Sequence, residues 1–170
     1  SFGGLGQPNQ PSTEHYENGL AEALDGYGKR QAPQIWLEAE SSSVGCCRIP
    51  KALFEQMQQA PVLEIRRSLD ERIDQLVDVY ACQDPDQLRQ ATERIQRRLG
   101  PQRTQAALEA IRDRRWGDAC RAMLDYYDRC YDHELKQASN RSNIDLSGRN
   151  PKDAAIELLN TSRVVPIDAP

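Results

Sequence analysis

Four consecutive segments between Ser68 and Leu135 repeat apolar residues at helical spacing, and this pattern restricts the fold more than any other feature of the sequence. Because residues three and four positions apart share one face of a helix, each segment predicts an amphipathic helix. The stripes consist of Leu69, Ile73, Leu76, Val77 and Tyr80; Leu88, Ala91, Ile95 and Leu99; Thr104, Ala107, Leu108 and Ile111; and Trp116, Cys120, Met123, Tyr127 and Cys130. The short connections between them predict an antiparallel helical bundle.

The chain before Ser68 alternates strand-like and helical segments. Residues 34–38 and 62–65 predict two short apolar strands, and a short helix is predicted to begin at Pro50 between them. The later segment "NIDLSG" predicts one more strand, followed by a last helix that begins at Pro151. Such alternation is typical of a parallel α/β sheet. The predicted fold is therefore mainly α, with a truncated α/β portion followed by the bundle, and we expect further strands from outside this chain.

Bulk properties exclude several classes of protein. No apolar run approaches the roughly 20 residues that a membrane helix needs, and no signal segment opens the sequence, so a soluble cytoplasmic protein is expected. The five cysteines include no CxxC pair. We expect them to be reduced and structural, with Cys82, Cys120 and Cys130 as small core residues.

Basic charge is concentrated in one part of the chain. The net charge is −4, yet residues 84–121 carry nine arginines against six acidic residues. Arginine is suited to bidentate contacts with phosphate. The candidates for binding RNA phosphates lie near the end of the second stripe and just after it; they are Arg94, Arg97, Arg98 and Arg103. The alternative is a solvated helix end, where arginines favour the C-terminal dipole.

Two acids end the first predicted strand. Side chains alternate along a strand, so Glu38 and Glu40 are predicted to share one side, where they would repel unless a cation or an arginine joins them. Carboxylates in this position hold Mg²⁺ or orient a nucleophile in phosphate-binding α/β proteins. We therefore predict the edge of a cation or phosphate site. The alternative is that Glu40 caps the next turn and Glu38 pairs with an arginine; Gly45 is predicted to relieve strain in that turn.

Several blocks of this sequence resemble the bacterial tRNA 2-selenouridine synthases. The opening "SFGGLGQPNQPSTEHYENGL" is similar to the stretch that follows "HRGS" in that family, and "WLEAESSSVGCCRIPKALFEQMQQAPVLEI" resembles its "EDESRxIG…IP..L…M..AP" block. "RRLGPQRTQAAL" and "MLDYYDRCYDHEL" are similar to its helical C-terminal region. The resemblance extends from residue 1 to about residue 160.

The resemblance implies a larger parent enzyme. Members of the family carry a rhodanese-like domain with a catalytic cysteine, then a P-loop domain with a Walker A motif, and neither that cysteine nor the GxxxxGK[ST] motif occurs in this sequence. It implies replacement of sulfur by selenium on wobble 2-thiouridine of tRNA, with selenophosphate as donor, a geranylated intermediate made from geranyl diphosphate, and Mg²⁺ as a candidate cation. The implied partners are tRNA and the upstream P-loop and rhodanese portions.

The change from mixed to purely helical patterns divides the chain near Arg67, and the resemblance suggests what its parts are. Residues 1–67 are expected to be the remnant of an α/β P-loop-type domain, residues 68–160 a helical domain and residues 161–170 a tail. By itself the chain is expected to be inactive. Within the parent enzyme it is expected to contribute tRNA or phosphate binding. Where the family has arginine this chain has Ser42, and Arg48 is the candidate substitute. The alternatives are a stand-alone helical interaction module and a fragment of a P-loop kinase or ATPase.

Overall fold

The computed structural model describes residues 2–30, 34–39, 41–136 and 140–162. Within these ranges the chain forms eight helices and four short strands, so it is mainly helical as predicted. The helices are α1 (Thr13–Lys29), α2 (Lys51–Gln59), α3 (Leu69–Tyr80), α4 (Pro85–Arg94), α5 (Gln96–Leu99), α6 (Pro101–Arg112), α7 (Trp116–Leu135) and α8 (Pro151–Ser162). The strands are β1 (Ser43–Val44), β2 (Cys47–Arg48), β3 (Val62–Arg66) and β4 (Arg141–Asp145).

Local capping signals position the helix starts. Ser68 and Glu71 form a reciprocal capping box at α3, in which each side chain accepts a hydrogen bond from the other residue's backbone N–H. Asp84 accepts from the backbone N–H of Asp86 at the start of α4. Asn150 accepts from the backbone N–H of Asp153 at α8, which begins with Pro151 as predicted.

The second apolar stripe forms two helices rather than one. Helix α4 ends at Arg94, and α5 begins at Gln96 after a break at Ile95. The Thr92 hydroxyl donates to the carbonyl of Leu88 at 2.9 Å, a back-bond that bends helices. The backbone N–H of Ile95 bonds to the carbonyl of Thr92, three residues back, which tightens this turn.

The helical core lies where α7 packs against α3 and α6, and α6 packs against α4. One buried cluster consists of Leu88, Ala110, Ile111 and Ala119, and a second of Ile73, Cys120 and Leu124. Full burial of each large aliphatic side chain contributes about 1.5–3 kcal/mol. Most residues of the predicted stripes therefore do face the core, but Leu69 at the start of α3 is 43% exposed. The antiparallel arrangement of the helices stays a prediction.

The parallel sheet is formed by strands other than those predicted to pair. Strands β3 and β4 pair in parallel from Val62 opposite Arg141 to Arg66 opposite Asp145. The strand predicted at residues 34–38 is wrong: residues 34–39 form no strand, and Trp36 is 50% exposed. A strand needs a neighbour for its backbone hydrogen bonds, and β1 to β4 pair only with one another among the described residues. The pairing of β3 with β4 crosses the predicted domain boundary at residue 67, which stays a prediction.

The N-terminal arm, residues 2–12, contacts a small hairpin. Strands β1 and β2 are antiparallel, and Gly45, with φ of +64°, opens their two-residue turn as predicted. The Gln10 side chain donates to the carbonyl of Val44 at 2.8 Å and accepts from the backbone N–H of Cys46 at 2.9 Å. The arm thereby links the hairpin to the body of the protein.

In the described ranges no helix combines the length and the apolar character required to cross a bilayer. The five cysteines are unpaired. Cys120 is buried and Cys130 is half-buried, as expected of core residues, whereas Cys82 is exposed because it follows the end of α3.

Candidate functional site

A cavity of about 1210 Å³ lies under the N-terminal arm and the β1–β2 hairpin. Helices α3 and α7 supply about half of its walls, with Leu76 and Val77 from α3 and Met123 and Tyr127 from α7. Phe2 of the arm packs edge-on against Tyr80, with 6.0 Å between ring centroids. The cavity can accommodate an apolar ligand of small-molecule size, because such sites typically occupy roughly 300–1,000 Å³.

A charged network closes one end of this cavity. The guanidinium of Arg67 donates to Glu71 Oε1 at 2.9 Å and to the backbone carbonyl of Arg149 at 2.6 Å. The backbone N–H of Gly148 donates to the same Glu71 oxygen at 2.8 Å, and Ser68 binds the other oxygen. The Arg67 guanidinium, the Gly148 amide and Ser68 together lower the pKa of Glu71 to about 2. Glu71 is therefore ionised at neutral pH.

Two arginines line the charged end. The Nε atom of Arg67 is buried and has no hydrogen-bond partner among the residues that the structure describes. Arg72 is paired with Asp128 of α7, and this hydrogen-bonded contact is the main reason why the pKa of Arg72 is raised. A buried donor without an acceptor carries a desolvation cost, which an incoming anionic group could relieve.

The cavity lies at the carboxyl edge of the parallel sheet. Strand β3 leads into α3 through Arg67, and β4 leads into α8 through a loop with Gly148 at φ of +75°. Arg67 and Glu71 from the first connection and Pro151 from the second all line the cavity. Ligands of α/β proteins bind outside the carboxyl ends of parallel strands, so this is the expected position for a site.

The structure places Glu38 outside any strand. Glu38 is exposed in the irregular segment 34–39, and Glu40 lies outside the described residues. The predicted alternation that put both on one side of a strand is thus lost for Glu38. Their assignment to a cation or phosphate site stays a prediction. Within the described ranges no cluster of three or more metal-ligating side chains occurs.

Arg48 lies beside Ser42 on the hairpin. Arg48 pairs across the hairpin with Ser43, and the backbone N–H of Ile49 donates to the carbonyl of Ser42 at 3.1 Å. The Arg48 side chain is exposed. Because Ser42 lies opposite Ile49, the side chains of Ser42 and Arg48 start on opposite faces of the hairpin, and the substitution of one by the other stays a prediction.

The four predicted phosphate-binding arginines divide between two environments. Arg94 and Arg97 are exposed, and neither forms an ion pair with a described residue. Arg97 lines a shallow groove against α6 together with Gln105. Arg103 is paired with Asp125, and Arg98 lies close enough to Tyr126 to lower the pKa of its phenol, which burial raises overall. Arg94 and Arg97 therefore offer guanidiniums that no carboxylate of the described chain neutralises.

Sequence reasoning missed the cavity and its charged end. The S-x-x-E spacing of Ser68 and Glu71 was a readable signal for the start of a helix, and Arg67 directly follows an apolar strand. Nothing local in the sequence, however, brings residues near position 2 over α3 and α7, or Gly148 against Glu71. These contacts join segments that lie 77 residues apart.

Comparisons with known proteins identify relatives over most of the chain. The family model that matches residues 1–162 is described as the tRNA 2-selenouridine synthase AAA domain. A tRNA 2-selenouridine synthase of Marinobacter nauticus is 30% identical over 81% of this chain and 45% of its own length. That of Hahella chejuensis is 32% identical over 78% of this chain and 42% of its own length.

The chain thus spans less than half the length of these curated relatives. The Shewanella halifaxensis synthase is 40% identical, but over only 47% of this chain. No solved structure matches the chain.

Proposed function

Because the chain belongs to the tRNA 2-selenouridine synthase family, whose AAA domain matches residues 1–162, we propose that it is part of an enzyme that replaces sulfur by selenium on tRNA. The substrate is wobble 2-thiouridine, and selenophosphate is the donor. This chain contributes binding of tRNA and phosphate, and the catalytic cysteine belongs to a rhodanese portion elsewhere in the parent protein. The family match over nearly the whole chain is the observation that carries this proposal.

Exposed arginines support the role in tRNA binding. Arg94 and Arg97 need not break an ion pair with a described residue in order to contact a phosphate. Arg98 and Arg103 would have to exchange Tyr126 and Asp125 for such contacts. The overall charge of −4 is compatible with a local patch, because screening confines electrostatic fields to about 8–10 Å at physiological salt.

The cavity supports a second part of the proposal, a site for the geranyl group of the intermediate. Its walls include Leu76, Val77 and Met123, which suit a hydrocarbon chain. At its charged end the lining includes Arg67 and Arg72, whose guanidiniums suit diphosphate oxygens. Geranyl diphosphate combines these two chemistries. Glu38 and Glu40 are the candidates for holding Mg²⁺, although Glu38 is not among the residues that line the cavity.

The test uses the full-length protein that carries this chain. It is incubated with thiolated tRNA, geranyl diphosphate and selenophosphate, and the tRNA is digested for nucleoside analysis by mass spectrometry. We expect 2-selenouridine, and omission of geranyl diphosphate should prevent its formation. Absence of the selenonucleoside would overturn the proposal.

The two alternatives predict other results. Nucleotide hydrolysis or phosphoryl transfer without any dependence on tRNA would favour a P-loop kinase or ATPase. A gene that places a start codon at Ser1, with no in-frame Walker A motif upstream, would favour a stand-alone interaction module. The same gene sequence with a rhodanese domain and a Walker A motif upstream supports the enzyme.

A further inference from the structure

Among the residues that the structure describes, strand β3 is paired along only one of its two edges. The backbone N–H of Val62 donates to the carbonyl of Asn140 at 2.8 Å, and the carbonyl of Arg66 accepts from Leu146 at 2.9 Å. In a parallel ladder, alternate residues direct their backbone groups to opposite sides. Leu63 and Ile65 therefore direct their N–H and C=O groups away from β4, where no described residue pairs with them in a ladder.

The compositions of the two strands differ in the way that central and outer strands do. Strand β3 has the sequence VLEIR, and its only acid, Glu64, is paired with Arg141 of β4 at 2.6 Å. Strand β4 has the sequence RSNID, in which Ile144 is the single apolar residue. Polar residues are typical of an outer strand, because they discourage further pairing, whereas apolar residues are typical of a strand buried between neighbours.

The exposure of apolar residues agrees with a missing neighbour. Ile65 of β3 is 51% exposed and Ile156 of α8 is 50% exposed. Parallel strands normally have both faces covered by helices, and a two-stranded parallel sheet is too small to be stable alone. Neither α2 nor α8 packs extensively against another element of the described chain.

We propose that the free edge of β3 receives a parallel strand from the remainder of the same parent protein. Strand β3 is then a central strand and β4 an outer strand of the complete sheet. The relatives supply the source of this strand, since more than half of their length lies outside the region that matches this chain. A parallel neighbour of β3 directs its carboxyl end toward the cavity, where Arg67 and Glu71 lie. The inference rests on the proposed longer enzyme.

A second copy of the chain is the competing occupant. Two copies related by a two-fold axis would pair their β3 strands antiparallel, and such a contact would depend on protein concentration. The connection between β3 and β4 runs through five helices, and long connections of this kind are characteristic of parallel α/β sheets. A further strand beside β3 is therefore expected to be parallel to it as well.

The first test is residue-resolved amide hydrogen exchange on the full-length protein. The Leu63 and Ile65 amides should exchange within about ten-fold of the Glu64 amide, which already faces β4. Exchange of Leu63 and Ile65 at the rate of unstructured amides, with Glu64 protected, would overturn the inference. Protection that disappears on dilution together with a dimer would also overturn it, in favour of a second copy. No activity is measured, so this test and that of the proposed function can fail separately.

A pair of proline variants gives an independent readout in the same full-length protein. Ile65→Pro removes an N–H that faces the free edge of β3, and Asn143→Pro removes one that faces away from β3 on β4. Proline is tolerated only where its missing N–H would face solvent. We expect Ile65→Pro to lower the thermal midpoint or prevent folding and Asn143→Pro to leave the midpoint nearly unchanged. Equal effects of the two substitutions would contradict the assignment of β3 as the central strand.

Discussion

The carboxylate of Glu71 accepts a hydrogen bond from Arg67, with 2.9 Å between Oε1 and Nη2, at the point where β3 meets α3. The same oxygen accepts from the backbone N–H of Gly148, which follows β4. One carboxylate thus joins the ends of both strands of the parallel sheet to the start of a helix. This connection holds the charged end of the cavity in place.

Protonation of Glu71 should therefore weaken the fold. The folded-state pKa of about 2 lies below the ordinary value of 4.5, so the ionised carboxylate stabilises the native state above about pH 4.5. That contribution should decline as the pH falls from 4.5 toward 2. Glu71→Gln should reduce the pH dependence of the thermal midpoint in this window, while Asp74→Asn, an exposed change on the same helix, should not. Identical pH profiles for wild type and Glu71→Gln would contradict this role.

Removing Arg94 and Arg97 together should weaken tRNA binding. Each real phosphate contact contributes about one unit to the slope of log affinity against log salt, so Arg94→Ala/Arg97→Ala should reduce that slope by about two. Arg112→Ala is the control, because Arg112 is equally exposed but paired with Asp113 at the far end of α6. Binding is measured on the full-length enzyme across a salt series.

The paired arginines of the same region should behave differently. Arg98→Ala and Arg103→Ala also remove contacts to Tyr126 and Asp125 of α7, so a lower thermal midpoint should accompany any loss of affinity. If none of the four substitutions changes the affinity or its salt slope, this region is not part of the tRNA-binding surface.

Filling the cavity should impair the use of geranyl diphosphate. Leu76 lines the cavity, and Val79 on the same helix is 45% exposed and does not. Leu76→Trp should raise the KM for geranyl diphosphate by about ten-fold or more, because the added ring occupies the space for the hydrocarbon chain. Val79→Trp should leave KM unchanged. Equal changes in the two variants would show that the effect is not one of cavity volume.

Neutralising Glu38 should affect turnover more than stability. Glu38 is exposed, and surface substitutions usually change the unfolding free energy by less than about 0.5 kcal/mol. If this carboxylate helps to hold a cation, Glu38→Gln should lower kcat by about ten-fold or more, and added Mg²⁺ should partly restore it. The same is expected of Glu40→Gln. A loss of stability without a loss of turnover would favour the structural alternative.

Restoring the family arginine at position 42 should make Arg48 dispensable. Ser42 lies opposite Ile49 and Arg48 opposite Ser43, so the two side chains start on opposite faces of the hairpin, and guanidiniums at both positions would reach one phosphate only around its edge. Arg48→Ala should weaken tRNA binding by about 1.5–3 kcal/mol, the range for a hydrogen bond to a charged group. In the Ser42→Arg background the same change should cost much less. Additive effects in this double-mutant cycle would separate the two positions.

Local signals predicted the helical elements well. The caps at Asp84 and Asn150 act within three residues of the helix start, so they depend little on the rest of the chain. The predicted strand at residues 34–38 failed for the opposite reason. Its apolar residues have a high strand propensity, but a strand forms only beside a second strand, and no local pattern specifies that neighbour.

The predicted phosphate-binding arginines show the same difference between what local sequence and what tertiary packing determine. Arg97 and Arg98 are neighbours in sequence, and from sequence alone they formed one basic corner. In the structure Arg97 lies in the groove against α6, whereas Arg98 contacts Tyr126 of α7. Adjacent residues of a helix lie about 100° apart around its axis, so only the packing of neighbouring helices decides which arginines remain available.

By itself the sequence determined the helical character of the chain, the starts of its helices, the stripes that form its core and its family resemblance. Each of these depends on residue types within a few positions of one another. The tertiary structure alone decided that β3 pairs with β4 across five helices, that the N-terminal arm covers a cavity, and that Glu71 joins Arg67 to Gly148. These features depend on contacts between distant segments, because hydrogen bonds and burial are satisfied in space and not along the chain.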